Sequence, residues 1–411
     1  MPHDIRFSPL ALELQAKARE IAEKHVRPNA AKYDKAQQYN FDAARAVAEA
    51  GLFKTFIPKE YGGHGAGVLA LALVTEELAK ADSGFGVAFA VNALGSFPIL
   101  LGGTEEQKKK WLPQIARGEK LVAFCLSEKY AGSDASGLSV TARDEGDHWV
   151  VTGEKKWTTN GGVADIYSVF CVTDATSKSR RISAIVVEKG TPGFTVEKIE
   201  DKMGIRCVPV VETHFDNVKV PKDNLIGGRP GNGFKHAMMT LDMARPGVAA
   251  QAVGAAQGAL DLAVVYANRR KQFGVPIASH QMVQQMLANM EMKTQAARWL
   301  VYSVAGQIDQ VGPDGITPRA ASAKCFATDV AMEVATDAVQ IFGGYGFMED
   351  YPIAKFFRDA KILQIYEGTN QIQRMVIARG LVRESVNLTH LESYIPTETQ
   401  RTYSAEPAIK G

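Results

Sequence analysis

Cysteine is scarce in this chain: 4 among 411 residues, at Cys125, Cys171, Cys207 and Cys325. No two form a CxxC pair, and none stands at metal-ligand spacing from a histidine. A disulfide scaffold and a zinc site are therefore both unsupported, and no metal is expected. The four read as free thiols of a reducing cytoplasm. An excess of charge is also missing, since the formal net charge is +2, which gives no global pull toward nucleic acid. The basic runs Lys108–Lys110 and Arg269–Lys271 are short and read as solvated helix faces. No GxGxxG follows a strand, and GxxxxGK[ST], HExxH and GxSxG do not occur. A Rossmann nicotinamide site, phosphate-loop hydrolysis, zinc peptidase chemistry and an elbow serine lose their support. The opening stretch MPHDIRFSPLALELQAKARE is amphipathic and lacks a signal peptide's apolar core, so a cytoplasmic protein is expected. No charged side chain lies between Asp82 and Glu105, a gap long enough for a bilayer span of roughly 20 residues. That stretch also contains Asn92, Pro98 and Gly84, Gly86, Gly95, Gly102 and Gly103. The expectation is buried bundle helices with an internal break, and no membrane span.

What is present divides the chain into three patterned regions. A 46% hydrophobic and 22% charged composition is ordinary for a soluble globular protein. The length suits two or three domains, with a core large enough to take a cofactor. Residues 1–120 read as helical: Leu10, Leu14, Ala18 and Ile21 share a face, with Glu13/Lys17 and Glu20/Lys24 as i,i+4 pairs. Residues 121–233 carry short β-rich runs with turn punctuation, including HWVVTG, IYSVFCVT and VETHFDNVKVP. They suggest a small antiparallel barrel or sandwich. Residues 234–385 return to long helices with short joins, which suggests a four-helix bundle. The first places Val253, Leu260 and Val264 on one stripe, and a Met-rich run reads as core filling. Residues 386–411 lose periodicity and read as a surface tail.

This α–β–α order, closed by IYEGTNQIQRMVIARGLV, resembles the acyl-CoA dehydrogenase family over roughly residues 8–383. The resemblance rests on ordered motifs: PKEYGGHG, FCLSEKYAGSDASG, GEKKWTTNGG, LDMARPGVAAQAVGAAQGAL, ANRRKQFGVPIASHQ, QIFGGYGFMEDYPIAKFFRDAKI and the Glu367 segment. It implies an N-terminal helical domain, a middle antiparallel β-barrel and a C-terminal four-helix bundle. It also implies one FAD per subunit of a homotetramer (a dimer of dimers), an acyl-CoA substrate, and electron-transferring flavoprotein as partner. By the same resemblance Phe124, Leu126, Ser127, Gly132 and Ser133 lie near FAD, with Ser133 also touching CoA. Lys129 and Tyr130 replace the usual Pro-Gly there. Trp157 stands beside the flavin, with Thr158 adjoining and Thr159 within reach of its N5/O4 edge. Arg270, Gln272, Phe273, His280 and Gln281, with Gln340, Gly343 and Gly344, reach a neighbouring subunit's FAD. Asp242 and Arg245 hold the CoA moiety, Tyr366 walls the acyl slot beside Gly368, and Thr369 and Gln371 touch FAD.

Glu367 is the expected catalytic residue. Asn370 with Gln373 resembles a capping box, so a helix starts just after Gly368 and leaves Glu367 on irregular backbone. A desolvated carboxylate is a stronger base than one in water and suits removal of a thioester's α-proton. Some family members carry the base just before the arginine of the LDxxR segment. That position here is Ala244, which cannot accept a proton. Two rivals stay open: an oxidase of the same fold that hands electrons to oxygen, and a catalytically silent CoA-binding scaffold. The charge-free run Ser83–Thr104 matches the closed end of the acyl slot, so an uncharged acyl tail is expected.

Overall fold

The computed structural model describes residues 5–394. Six helices open it: α1 (Pro9–Ile21), α2 (Ala30–Ala36), α3 (Phe41–Glu49), α4 (Gly67–Ala81), α5 (Ser83–Gly102) and α6 (Glu105–Ala116). Ser8 caps α1 by accepting from the Ala11 N–H at 3.1 Å, and Pro9 fits the first turn. The i,i+4 pairs Glu13–Lys17 and Glu20–Lys24 form at 2.7 and 2.6 Å. Thr104 and Gln107 close a capping box on α6. The charge-free run forms one continuous helix, α5, with Pro98 inside it and no break. Both α5 and the later α7 (Gly233–Arg269) are long and apolar enough to cross a membrane, and both are mostly buried within the protein. Helix α5, apolar on all sides, carries the signature of such a position.

Seven strands follow: β1 (Val122–Cys125), β2 (Thr141–Asp144), β3 (His148–Thr159), β4 (Ile166–Val172), β5 (Ile182–Glu188), β6 (Phe194–Ile199) and β7 (Val210–Pro221). They make one curled sheet in which β2–β3, β3–β7, β6–β7 and β4–β5 are antiparallel. The expectation of a purely antiparallel sheet is corrected at β4, which runs parallel to β1 and, at Val172, to β2. The chain leaves β1 through a long loop and the β2–β3 hairpin before β4 returns, and such a crossover is what parallel pairing needs. The end strands β5 and β6 do not pair with each other among the described residues. Every residue of β4 is buried. One face meets α5, where Ser168 donates to Gly95 O at 2.7 Å, and the other packs Tyr167 on Phe194.

The C-terminal region packs α7, α8 (Gln281–Val311), α9 (Thr317–Phe342), α10 (Ile353–Leu363) and α11 (Asn370–Glu384), with a two-strand hairpin, β8 (Lys271–Gln272) and β9 (Val275–Pro276), between α7 and α8. Its core is continuous with that of α1, α4 and α5, whereas the sheet has a second core of its own. Three expectations are adjusted. Helix α7 runs through Pro246, and Val264 is exposed while Val253 and Leu260 are buried. In the Met-rich run only Met290 is fully buried, with Met282 and Met292 exposed. Residues Ser385–Tyr394 form a 3₁₀ segment, and the rest of the expected tail lies outside the described residues.

Candidate active site

Glu367 sits in the turn between α10 and α11 with φ +50°, followed by Gly368 at +87°. Two left-handed residues in succession are costly for a side chain such as glutamate, and such strain persists only where neighbours impose it. Gln373, fully buried on α11, donates to Glu367 O at 3.0 Å and Gly368 O at 3.1 Å. A Cβ on Gly368 would lie 2.4 Å from Gln373 Nε2, so glycine fits both the φ and the close approach. Helix α11 starts where expected, but its cap is Thr369, whose hydroxyl accepts from the Ile372 N–H at 3.2 Å. Asn370 is instead the first helical residue, and its side chain is bonded into α9. Tyr366 donates to Gln251 Oε1 on α7, and Gln251 donates in turn to Ser83 O at 2.8 Å.

The Glu367 carboxylate has one oxygen, Oε2, that is buried and without a hydrogen-bond partner. Burial pushes its pKa up to about 7, against the pull of Lys324 on α9 and Arg245 on α7. No ion pair joins Glu367 to either cation among the described residues, so the carboxylate is attracted but not neutralised. Arg245 is buried and paired to Asp242, and its Nε is left without a partner. Burial pulls the Arg245 pKa down, while Asp242 and Glu367 hold it up. Asp242 also accepts from Thr317 Oγ1 at 2.5 Å, and its pKa is raised by burial. Pro246 follows at once and removes the N–H that would have bonded the Asp242 carbonyl, which loosens α7 at this point. Ala244 is buried beside them and offers no proton acceptor.

A second wall comes from the sheet. β3 changes register between Lys155 and Thr158, and Trp157 in this bulge has φ +57° and is 50% exposed. A bulge re-aims side chains, here turning the indole outward while Thr158 is buried against Cys125 Sγ at 3.6 Å. Thr159 is half-buried next to it. Lys156 N–H donates to Ser127 O at 2.9 Å, which ties the bulge to the segment carrying Phe124, Leu126 and Ser127. Gly132 and Ser133 are exposed on the loop beyond, and Tyr130 is 88% exposed beside Lys129. Sequence reasoning missed the clamp beneath this segment. Lys155, fully buried, pairs with Glu128 at 2.7 Å and donates to Leu126 O at 2.9 Å. Burial works against the ionised Glu128, but Lys155 and Ser139 outweigh it and hold its pKa low.

A third group lies apart from these two. Arg270 lies over the Tyr345 ring at 5.3 Å, and Tyr266 stacks on Phe342 at 4.0 Å. Phe273, at the hairpin tip, is 93% exposed with φ +52° and meets His280 edge-on. His280 Nε2 is buried without a partner. Gln272, Gln281, Gln340, Gly343 and Gly344 are exposed nearby, and Gln371 is exposed on α11. Among the described residues, no hydrogen bond, ion pair or ring contact joins this group directly to Glu367. Lys324 was also not foreseen. Its one signal is a charge inside the Ala-rich run RAASAKCFATD.

Three family models cover nearly the whole chain: acyl-CoA dehydrogenase N-terminal domain at residues 8–119, middle domain at 123–218 and C-terminal domain at 231–382. The chain is 48% identical to the probable acyl-CoA dehydrogenase FadE25 of Mycobacterium tuberculosis over 371 residues, covering 90% of this chain and 95% of that one. Butyryl-CoA dehydrogenase from Megasphaera elsdenii superposes with a TM-score of 0.89 at 43% identity, over 92% of this chain and 100% of that one. A chain in the structure of the electron-transferring flavoprotein of Acidaminococcus fermentans gives 0.90 at 47% identity, over 93% and 100%. The chain belongs to the acyl-CoA dehydrogenase family, whose members are oxidoreductases.

Proposed function

We propose that this protein removes one hydrogen from each of Cα and Cβ of an acyl-CoA thioester to give the 2-enoyl-CoA, with Glu367 as the base. The observation that carries the reading is the unpartnered, buried Glu367 Oε2 with its pKa near 7. A carboxylate so placed is basic enough to take an α-proton at neutral pH. Glu367 takes the α-proton, and the electron pair left on Cα forms the double bond as Cβ loses a hydride. Bound FAD supplies the acceptor for that hydride. The Glu367 N–H makes no hydrogen bond among the described residues, so it is free to donate to the thioester oxygen and acidify Cα. Arg245 and Asp242 hold CoA-side polar groups, and Tyr366 walls the acyl chain.

The residues present fit FAD. The Trp157 bulge offers an aromatic face with Thr158 and Thr159 beside it, and Phe124, Leu126 and Ser127 form the adjoining strip. Added Cβ atoms at Gly343 and Gly344 would meet nothing within 4 Å, which leaves room for a ligand against the backbone. Arg270 and Arg245 lie on one helix and are roughly 37 Å apart at 1.5 Å per residue. That separation supports the reading that the Arg270 group serves the flavin of a second copy, in a homotetramer. Electron-transferring flavoprotein is the proposed acceptor, in line with the likeness to the Acidaminococcus chain. A short uncharged tail is the proposed acyl group, in line with the likeness to a butyryl-CoA dehydrogenase and the charge-free α5. The test is dye-coupled turnover of a thioester panel. Butyryl-type substrates should be turned over and Glu367→Gln should lose roughly 10²- to 10⁴-fold or more. Fastest turnover of a dicarboxylic acyl-CoA, or an active Glu367→Gln, contradicts the reading.

A further inference from the structure

Lys324 is the largest charged side chain in the C-terminal bundle with no exposed surface at all. Its ammonium donates to Gly368 O and to Asn370 Oδ1, both at 2.9 Å. These acceptors flank Thr369 and belong to the turn that carries Glu367. Asn370 is itself saturated: its two amide N–H groups have Thr328 Oγ1 at 2.9 Å, Asp329 Oδ1 at 2.7 Å and Cys325 O at 3.3 Å as acceptors. Asp329 also accepts from Gln364 Nε2 at 2.7 Å and Arg374 at 2.6 Å. The strained turn is thus gripped on both sides, by Gln373 from α11 and by Lys324 from α9.

A buried ammonium is expensive, and an ordinary anchor would use a neutral donor. Placing a full charge here, next to Glu367 but outside ion-pair distance, has a second effect that a neutral donor lacks. It favours the ionised carboxylate without engaging either oxygen, so basicity is lowered only partly and both lone pairs stay available. Burial pushes the Lys324 pKa down to about 8, with Glu367 opposing that fall.

We propose that Lys324 is a positioning residue for the reaction, aiming Glu367 through Gly368 O and Asn370 Oδ1 and setting the pH at which the carboxylate becomes active. The inference rests on Glu367 being the base. Charged and titratable groups around the turn are Asp242 and Arg245 on α7, Lys324, Cys325 and Asp329 on α9, Asp359 on α10 acting on Tyr366, and Arg374 on α11. Of these only Lys324 and Arg245 act on Glu367 with a positive charge.

The experiment compares Lys324→Met, which removes charge and donors, with Lys324→Gln, which keeps a neutral donor, in the FAD-loaded oligomer, with Glu367→Gln alongside. Lys324→Met should lower kcat roughly 10²-fold, as expected for a base displaced by about 1 Å, with KM changed little. Its pH profile should rise at higher pH than wild type, by about one unit for a charge removed at this range. Lys324→Gln should recover kcat in part but keep the displaced profile. A readout free of activity is the thermal stability gained by adding Glu367→Gln to each background across pH. Without Lys324 the pH at which that gain levels off should be higher. Stability loss in both variants with an unmoved profile and an unmoved levelling point overturns the proposal and leaves Lys324 structural. If both variants fold poorly, the same profile measured on Asn370→Ser, which weakens the second anchor but keeps the charge, must show lowered kcat with an unshifted pH dependence; a shifted one also overturns it. An active Glu367→Gln, by contrast, defeats the base assignment itself.

Discussion

At the scale of single residues, the buried carboxylate of Glu367 costs stability. Its folded pKa of about 7 lies above the ordinary value of 4.5, so the folded protein binds a proton that the unfolded chain releases. Stability therefore falls as pH rises from about 4.5 to about 7 and then levels off. Glu367→Gln should be indistinguishable from wild type at pH 4 and more stable by up to about 3 kcal/mol at pH 8, read by thermal unfolding in buffers of each pH. An equal difference at both pH values would show that the carboxylate is not destabilised by burial. Gly368→Ala should cost about 1–2 kcal/mol, because φ +87° is unfavourable for alanine and its Cβ meets Gln373. Glu367 was legible in the sequence because an acid at a helix break needs no packing information to be noticed. Lys324 was not, since periodicity fixes a helix's apolar face only when charged residues stay outside it, and this one turns in to meet Asn370.

At the scale of elements, polar knots decide where the helices sit. Asp82 caps α5 by accepting from the Gly84 N–H at 2.8 Å, and also binds Lys355 of α10 at 2.6 Å. Lys355 pairs with Asp359 at 2.5 Å, and Asp359 accepts from the Ile205 N–H at 2.5 Å, in the loop before β7. Through Asp359, one buried ammonium therefore links α5, α10 and the β6–β7 connection. Asp82→Ala should cost about 3 kcal/mol through the lost cap and the half-stranded lysine. Adding Lys355→Met should restore part of that loss, as measured by denaturant unfolding of both variants. Full additivity would show that the two residues do not act as a pair. Lys355 and Asp359, an i,i+4 pair of the kind that suits a solvated helix face, are buried here. The strand runs were plain in the sequence, but the parallel β1–β4 pairing depends on where a distant strand returns, which local pattern does not encode.

At the scale of the molecule, the three-region order and the motif spacing were readable because each region has its own periodicity. The resemblance already assigns the Arg270 group to a neighbouring subunit's FAD, and the length of α7 accords with that separation. On the proposed assignment of the Arg270 group to a second copy, cofactor retention is a property of the assembly. Arg270→Ala should keep the helical circular-dichroism signal and lose FAD on gel filtration, and dilution of the wild type should release flavin as the oligomer dissociates. A monomer that keeps its flavin would contradict this arrangement.

The most direct measurement is anaerobic rapid mixing of the FAD-loaded protein with a good acyl-CoA substrate, followed at the flavin absorbance. Wild type should bleach in a fast phase whose rate rises with pH through about 7, as Glu367 loses its proton. Glu367→Gln should bind the thioester and stay yellow on that timescale. Bleaching of Glu367→Gln at near the wild-type rate would contradict the account and place the base elsewhere.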